Sequence, residues 1–224
     1  MSKHIVVLTG AGMSAESGVK TFRDHDGLWE GHDVMQVASP EGFRNNPSLV
    51  LDFYNQRRRQ LKTVTPNSAH IAIANLENDY KVTVVTQNVD DLHERAGSTN
   101  VVHLHGELNK VRSTGNPTDI KFWTEDINLG DTCEKGHQLR PHIVWFGEEV
   151  PMIEKAVDIC HTADILVIIG TSMQVYPAAS LMHYVPENIP MYYIDPKPAL
   201  NNDGKVTVIA KSATEGIKDF IASL

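Results

Sequence analysis

Ile5-Val6-Val7-Leu8-Thr9-Gly10-Ala11-Gly12-Met13-Ser14-Ala15-Glu16-Ser17-Gly18 is the stretch on which the fold turns. Its opening apolar run describes a strand covered on both faces, as in a parallel sheet flanked by helices. The run ends at Gly10, and Gly10, Gly12 and Ala15 fit the pattern G-x-G-x-x-[GA]. Such a turn lets a backbone approach a pyrophosphate and sets the positive end of a helix against it. The spacing alone is weak, and a plain β-to-α turn is the alternative. Its position directly after an apolar strand gives it weight.

Similar short apolar runs recur at Val82–Thr86, Val101–Leu104, Ile143–Phe146, Ile165–Ile169, Met191–Ile194 and Val206–Ile209. Amphipathic helical patterns lie between them at Ser68–Glu77, Ile153–His161, Ala178–Tyr184 and Ala213–Leu224. This alternation predicts an α/β fold with a doubly wound parallel sheet, Rossmann-like. Two segments break the rhythm. Gly27 to Thr65 holds no good strand and ends in a helix entered through Asn46 as N-cap and Pro47 as first residue. Asn109 to Pro141 is polar and carries scattered Gly and Pro. The chain therefore divides into a nucleotide-binding domain (1–30, 66–108 and 142–224) and a small inserted lobe (31–65 and 109–141).

The 224 residues suffice for one large domain with a small lobe, and a 41% hydrophobic content supports a packed core. A net charge of −8 argues against a chain built to grip nucleic acid through phosphates. Cys133 and Cys160 are the only cysteines, which excludes a disulfide framework and fits a reducing compartment. The Ile5–Leu8 run is too short for a secretory signal, and no stretch approaches the ~18 apolar residues of a membrane span. The expectation is a soluble, cytoplasmic monomer with no membrane or nucleic-acid partner.

A dehydrogenase of this fold would show a second strand ending in Asp or Glu about 20 residues after the glycines. Here the chain reads Thr21-Phe22-Arg23-Asp24-His25-Asp26-Gly27, with no strand to carry either aspartate. Nucleotide binding survives this comparison, while hydride transfer is weakened. The glycine loop with Thr21-Phe22-Arg23 resembles instead the first signature of the sirtuins. Thr86-Gln87-Asn88-Val89-Asp90-Asp91-Leu92-His93 is similar to the second, His105-Gly106-Glu107-Leu108 to the third, and Gly170-Thr171-Ser172 with Val175 and Pro177 to the fourth. The resemblance spans nearly the whole chain. It implies NAD-dependent lysine deacylation, in which nicotinamide leaves, the acyl oxygen attacks the ribose carbon, and a histidine base promotes attack by the neighbouring hydroxyl. Nicotinamide, free lysine and O-acyl-ADP-ribose are the implied products.

Residue chemistry agrees with these assignments. A neutral imidazole suits deprotonation of a hydroxyl near pH 7, and His105 ends a short strand where a crevice should open. A structural histidine is the alternative there, and remains the reading for His103. Asn88 and Asp90 follow a buried strand and would act with His105 in catalysis by holding the nicotinamide carboxamide; a helix-capping role is the alternative for Asp90 or Asp91. Gln87 and Val89 stand beside them at the cofactor. Gly10, Ala11, Gly12, Ala15 and Glu16 form the nucleotide loop. By the resemblance, Phe22 and Arg23 should lie over the cofactor, where an aromatic ring can shield the reactive carbon from water. Gly170, Thr171 and Ser172 offer small polar groups to the nucleotide. The resemblance implies that Asp195 stands near the adenosine, where the family often has Asn, and that Ala213 is a backbone contact for adenine. The acylated-lysine protein or peptide would pair as a strand with Val144 to Glu148 and the stretch around Val175. Val144 and Phe146 would line the tunnel for the lysine stem, with Gly147 and Glu148 beside it.

Tyr54-Asn55-Gln56-Arg57 lies in the helix after Pro47. Positions i and i+3 share a helix face, so a phenol and a guanidinium fork can converge on a carboxylate. The pair resembles the Tyr-x-x-Arg of class III sirtuins, which act on succinyl- and malonyl-lysine. Arg57-Arg58-Arg59 could instead be a solvated basic face, and Arg58 and Arg59 point elsewhere and receive no role. Family members commonly carry zinc on two C-x-x-C pairs; the corresponding places read Ser113-x-x-Asn116 and Cys133-x-x-Gly136, so no metal is expected. The lobe must hold by packing, with Phe122, Trp123 and Ile127 as candidates. Two rival functions are an NAD-sensing module without turnover and a mono-ADP-ribosyltransferase. Retention of His105, Asn88 and Asp90 opposes the first, and the Tyr54/Arg57 pair opposes the second.

Overall fold

The computed structural model describes residues 2–20, 28–29, 31–201 and 204–224. In chain order its elements are β1 (His4–Thr9), α1 (Ala11–Ala15), β2 (Leu28–Trp29), β3 (His32–Asp33), α2 (Val34–Val37), α3 (Pro40–Asn45), α4 (Pro47–Leu61) and α5 (Ser68–Asn75). There follow β4 (Lys81–Thr86), α6 (Leu92–Arg95), β5 (Val101–His103), β6 (Gly106–Ser113), β7 (Ile120–Phe122), β8 (Leu139–Ile143) and α7 (Ile153–His161). The chain ends with β9 (Ile165–Ile169), β10 (Met191–Ile194), β11 (Val206–Ile209) and α8 (Ala213–Ala222).

Six strands form one sheet in the order β5-β4-β1-β9-β10-β11, and every pairing is parallel. Successive strand residues face opposite sides, and at the central strands β1 and β9 both sides are buried. Ile5, Val7, Val84 and Val167 pack with Ile73 of α5 and Ile217 and Phe220 of α8. Val6, Leu8, Val85, Leu166 and Ile168 pack with Ala156 and Cys160 of α7. Each such aliphatic side chain contributes about 1.5–3 kcal/mol on burial, which is why these runs tolerate no polar alternation. The sheet is therefore doubly wound and Rossmann-like. From β1 the chain builds β4 and β5 on one side, and it later returns to place β9 on the other. A crevice opens at the carboxyl ends where such a reversal occurs.

The structure corrects the expected strand at Ile143–Phe146. The strand there is β8, which lies earlier and pairs antiparallel with β6 in a second sheet of order β7-β6-β8. Beyond Ile143 the chain turns because Glu148 Oε2 accepts the Trp145 N–H at 2.9 Å and Gly147 adopts φ +87°. Ala178–Tyr184 is wound as a 3₁₀ rather than an α-helix. The segment expected to lack strands contains the short antiparallel pair β2 and β3. Asn46 does cap α4, its Oδ1 accepting the Leu49 N–H at 3.1 Å, and Pro47 is the first residue. No described helix is long and apolar enough to cross a membrane.

Around Cys133 the second sheet is joined to α4 by apolar packing and hydrogen bonds. Cys133 is buried with Leu51, Val111, Ile127 and Leu139, and Ser113 Oγ donates to its sulfur at 3.3 Å. Among the described residues, no group of three or more His, Cys, Asp or Glu is arranged to hold a metal. Ile127 and Trp123 join this cluster, whereas Phe122 does not: it is 70% exposed on β7. A second correction concerns Arg58. Its side chain is buried and donates from Nε to the Leu108 carbonyl and from Nη1 to Asn55 Oδ1. Asn55 in turn exchanges two 2.9 Å hydrogen bonds with the backbone of Ile127. Arg58 thus staples α4 to both β6 and the loop that carries Ile127.

Candidate functional site

The segments that follow β1, β4, β5, β8 and β9 surround a cavity of about 300 Å³. Gly10 and Ala11 line it, with Gln87, Asn88, Val89 and Asp90 beyond β4, His105 beyond β5, and Gly170, Thr171 and Ser172 beyond β9. Val144, Phe146, Gly147, Glu148 and Val175 form a further part of the wall, and Tyr54 reaches it from α4. Sixteen residues separated by more than 160 positions in sequence thus share one space.

His105 presents a defined tautomer. Its Nδ1 lies 3.1 Å from the Gln87 carbonyl, which can only accept, so the proton resides on Nδ1. Nε2 is left with its lone pair and has no partner among the described residues. Burial lowers the imidazole pKa, with partial compensation from the Gln87 bond. His103 is differently engaged: its nitrogens meet the Asn88 carbonyl at 2.9 Å and Glu94 Oε1 at 2.7 Å. Although burial opposes charge there, these contacts raise its pKa and suit a structural imidazolium.

Asn88 and Asp90 are joined through Ser14, which the sequence reading left without a role. Ser14 Oγ donates to Asp90 Oδ2 at 3.0 Å and accepts from Asn88 Nδ2 at 3.1 Å. Asp90 Oδ1 also accepts the Leu92 N–H at 3.2 Å, which closes the turn that leads into α6. Burial raises the Asp90 pKa against these donors. Behind the triangle lie His70 and His93, their rings 4.8 Å apart. Gln87 Nε2 donates to Thr171 Oγ1 at 3.2 Å and links the loops after β4 and β9.

The glycines have a steric reason that the motif did not reveal. A Cβ on Gly10 would stand 2.8 Å from the Gly170 carbonyl oxygen, and one on Gly12 2.7 Å from Gly170 Cα. Gly170 itself has φ +64°. The loops after β1 and β9 press against each other, and the Gly12 N–H already donates to the Gly170 carbonyl. Close approach to a ligand is thus not the only demand on Gly12, which does not line the cavity.

Several expected residues stand elsewhere. Ala15 and Glu16 are exposed at the end of α1, and Glu16 accepts from Ser212 Oγ, Thr214 N and Thr214 Oγ1, which ties α1 to the start of α8. Ala213 is buried as the first residue of α8. Asp195 is buried at the end of β10, where its Oδ1 accepts the Lys197 N–H. Phe22 and Arg23 lie outside the described residues. Tyr54 is fully buried against the cavity, but Arg57 is not in the wall: its guanidinium lies over the Phe53 ring at 3.2 Å and 5.2 Å from the Trp29 ring centre. The Val144–Glu148 stretch is not a strand, and the N–H groups of Val144, Phe146 and Glu148 are already bonded to His105, Ala38 and Trp145. Trp29, Ala38 and Trp145, none singled out in the sequence, complete the wall around Tyr54.

The donor set suits a dinucleotide. A paired amide and hydroxyl face a cavity bordered by two glycine turns, and Asn88 Oδ1 has no partner among the described residues. Comparisons with known proteins agree. The Sir2 family profile matches residues 10–177. The chain is 56% identical to an NAD-dependent protein deacylase of Helicobacter pylori, covering 99% of this chain and 97% of that protein. It is 54% identical to one of Bacteroides thetaiotaomicron, with 97% and 96% covered. A crystal structure of a Sir2 homologue in complex with NAD superposes with a TM-score of 0.88 at 38% identity, over 99% of this chain and 89% of that one. The likeness holds at the level of motif, whole-chain identity and backbone path together, and this chain belongs to the Sir2 family.

Proposed function

We propose that this chain is an NAD-dependent lysine deacylase that favours acyl groups ending in a carboxylate, succinyl, malonyl and glutaryl, and that also removes acetyl. The observation that carries this reading is one cavity bordered by the glycine turns, by the unprotonated Nε2 of His105 and by the Tyr54 phenol. The family relationship supports the use of NAD as co-substrate.

Bound NAD supplies a ribose carbon made electrophilic by departure of nicotinamide. Asn88, steadied by Ser14 and Asp90, orients the carboxamide. Val144 and Phe146 enclose the aliphatic stem of the lysine and keep water from it. Nε2 of His105 receives the proton of a ribose hydroxyl, and desolvation keeps that nitrogen free to do so at neutral pH. One water then adds to the former amide carbon, the C–N bond breaks and the lysine nitrogen leaves protonated, so that nicotinamide, lysine and O-acyl-ADP-ribose are the products. Tyr54 donates to the acyl carboxylate. Arg57 completes the fork by rotating away from Phe53 and Trp29, giving up a cation–π contact of roughly 0.5–2 kcal/mol and its Nη1 bond to the Phe53 carbonyl for a charge-assisted pair of roughly twice the usual hydrogen-bond strength.

Mass spectrometry of one lysine peptide bearing each acyl group, with and without NAD, tests the reading. The expected result is NAD-dependent removal, faster for succinyl than for acetyl, with that order lost in Arg57→Met. Equal rates in the parent would remove the acyl preference and leave the deacylase. ADP-ribosylated peptide in place of free lysine would favour the transferase.

A further inference from the structure

Tyr54 of α4 and Trp145, just beyond β8, meet in the cavity wall. Trp145 Nε1 and Tyr54 Oη are 3.0 Å apart. An indole nitrogen can only donate, so the direction of this bond is unambiguous: the phenol oxygen accepts, and its own proton must point elsewhere. That proton has no acceptor among the described residues, although Tyr54 is fully buried. Buried donors without partners are rare, and one in a cavity wall calls for an acceptor on the ligand. Burial also raises the phenol pKa, so the group remains a donor throughout the neutral range.

Trp145 is itself held from several sides. Its N–H donates to Glu148 Oε2, and Glu148 is paired with Arg140 at 2.7 Å and with Arg112 at 2.8 Å. The Arg140 guanidinium lies 3.2 Å over the indole, and the Phe43 ring packs 5.3 Å away. An indole fixed in this way holds its N–H in one direction.

We propose that Trp145 is a positioning residue for acyl selection: by occupying the acceptor side of Tyr54, its indole turns the phenol proton toward the cavity, where only an acyl group with its own terminal acceptor can use it. The proposal rests on the reading of Tyr54 as part of the acyl-carboxylate site. Succinyl presents such an acceptor and acetyl does not, so Trp145 acts on the ratio between them rather than on turnover as such.

The test compares the parent, Trp145→Phe, Tyr54→Phe and the double variant on succinyl- and acetyl-lysine peptides. In Trp145→Phe, kcat/KM for succinyl is expected to fall about tenfold, mainly through KM, and that for acetyl by no more than about threefold. Tyr54→Phe should give a similar loss in the parent and little further loss in Trp145→Phe, because the two act as one unit. Equal losses on both peptides, or an unchanged succinyl-to-acetyl ratio, would overturn the proposal. If Tyr54→Phe abolishes the preference while Trp145→Phe retains it, only the role of Trp145 fails. A parent without preference removes both readings. Should Trp145→Phe not fold, the indole ¹⁵N–H signals of the parent, assigned through Trp29→Phe and Trp123→Phe, provide the readout. The Trp145 signal should shift with the succinyl peptide and not with the acetyl peptide, and equal shifts would sink the idea.

Discussion

The His105 imidazole donates its Nδ1 proton to the backbone carbonyl of Gln87 at 3.1 Å, so the residue before Asn88 sets the tautomer of the proposed base. Burial holds the His105 pKa below the ordinary 6.5. A lowered pKa keeps the neutral form in place to lower pH, so activity is present above that value and is lost as pH falls through it. The acid limb of kcat/KM is therefore expected below pH 6.5, and His105→Asn should reduce turnover by roughly 10²–10⁴ while the fold is retained. Rate profiles between pH 5 and 8 check this; an acid limb above 6.5 would show that another group is the base.

A second pH effect concerns stability rather than rate. His70 and His142 are pushed down to about 4, and His93 is held well below 6.5, in each case chiefly by burial. The unfolded chain binds these protons near pH 6.5 and the folded chain does not. Their contribution to stability is thus present above 6.5 and declines as pH falls toward 4, by up to about 1.4 kcal/mol per pH unit for each histidine. His103 has the opposite sign, since its raised pKa adds stability below 6.5 that is lost as pH rises. His4 and His105 are lowered by burial as well, so five groups oppose one and Tm should fall steadily on acidification from pH 6.5 to 4.5. His142→Gln should make that slope shallower, and an unchanged slope would remove His142 from the account.

The parallel sheet was legible because β1 and β9 are unbroken apolar runs, which only a doubly covered strand requires. β8 was misplaced because Leu139-Arg140-Pro141-His142-Ile143 lacks that signature: its arginine is buried by pairing with Glu148 from a turn beyond the strand. Arg58 was misjudged for a related reason. A run of three arginines reads as a solvated face, and nothing local announces that the middle one meets the Leu108 carbonyl 50 residues away. Motifs single out His105, Asn88 and Asp90, which share one cavity wall, whereas Ser14 lies inside a motif that stresses glycine. The Trp145–Tyr54 bond spans 91 positions and leaves no trace in either segment alone.

Gly12 separates two explanations of the nucleotide loop. If it is glycine only to admit a pyrophosphate, Gly12→Ala should weaken NAD binding and leave the free protein as stable as before. The 2.7 Å approach of a Cβ to Gly170 Cα instead forces the loops after β1 and β9 apart. Overpacking of this kind costs about 1–3 kcal/mol, so the variant should lose Tm in the absence of NAD as well as affinity in its presence. Thermal unfolding without NAD decides between them, and an unchanged Tm would favour the ligand explanation.

The small lobe offers the last test, because two sources of its cohesion make opposite predictions. A structural metal would make folding sensitive to chelators, since such ions contribute folding free energy directly. Here Cys133 is packed in an apolar cluster and bonded by Ser113, while Arg58 and Asn55 lace α4 to Leu108 and Ile127. Prolonged chelation should therefore leave Tm and activity unchanged, and metal analysis should find no stoichiometric zinc. Arg58→Met keeps much of the buried stem but strands the Leu108 carbonyl, and should lower stability by roughly 1–3 kcal/mol. Loss of the fold on chelation together with a silent Arg58→Met would reverse the assignment, because cohesion would then reside in an ion rather than in the staple from α4.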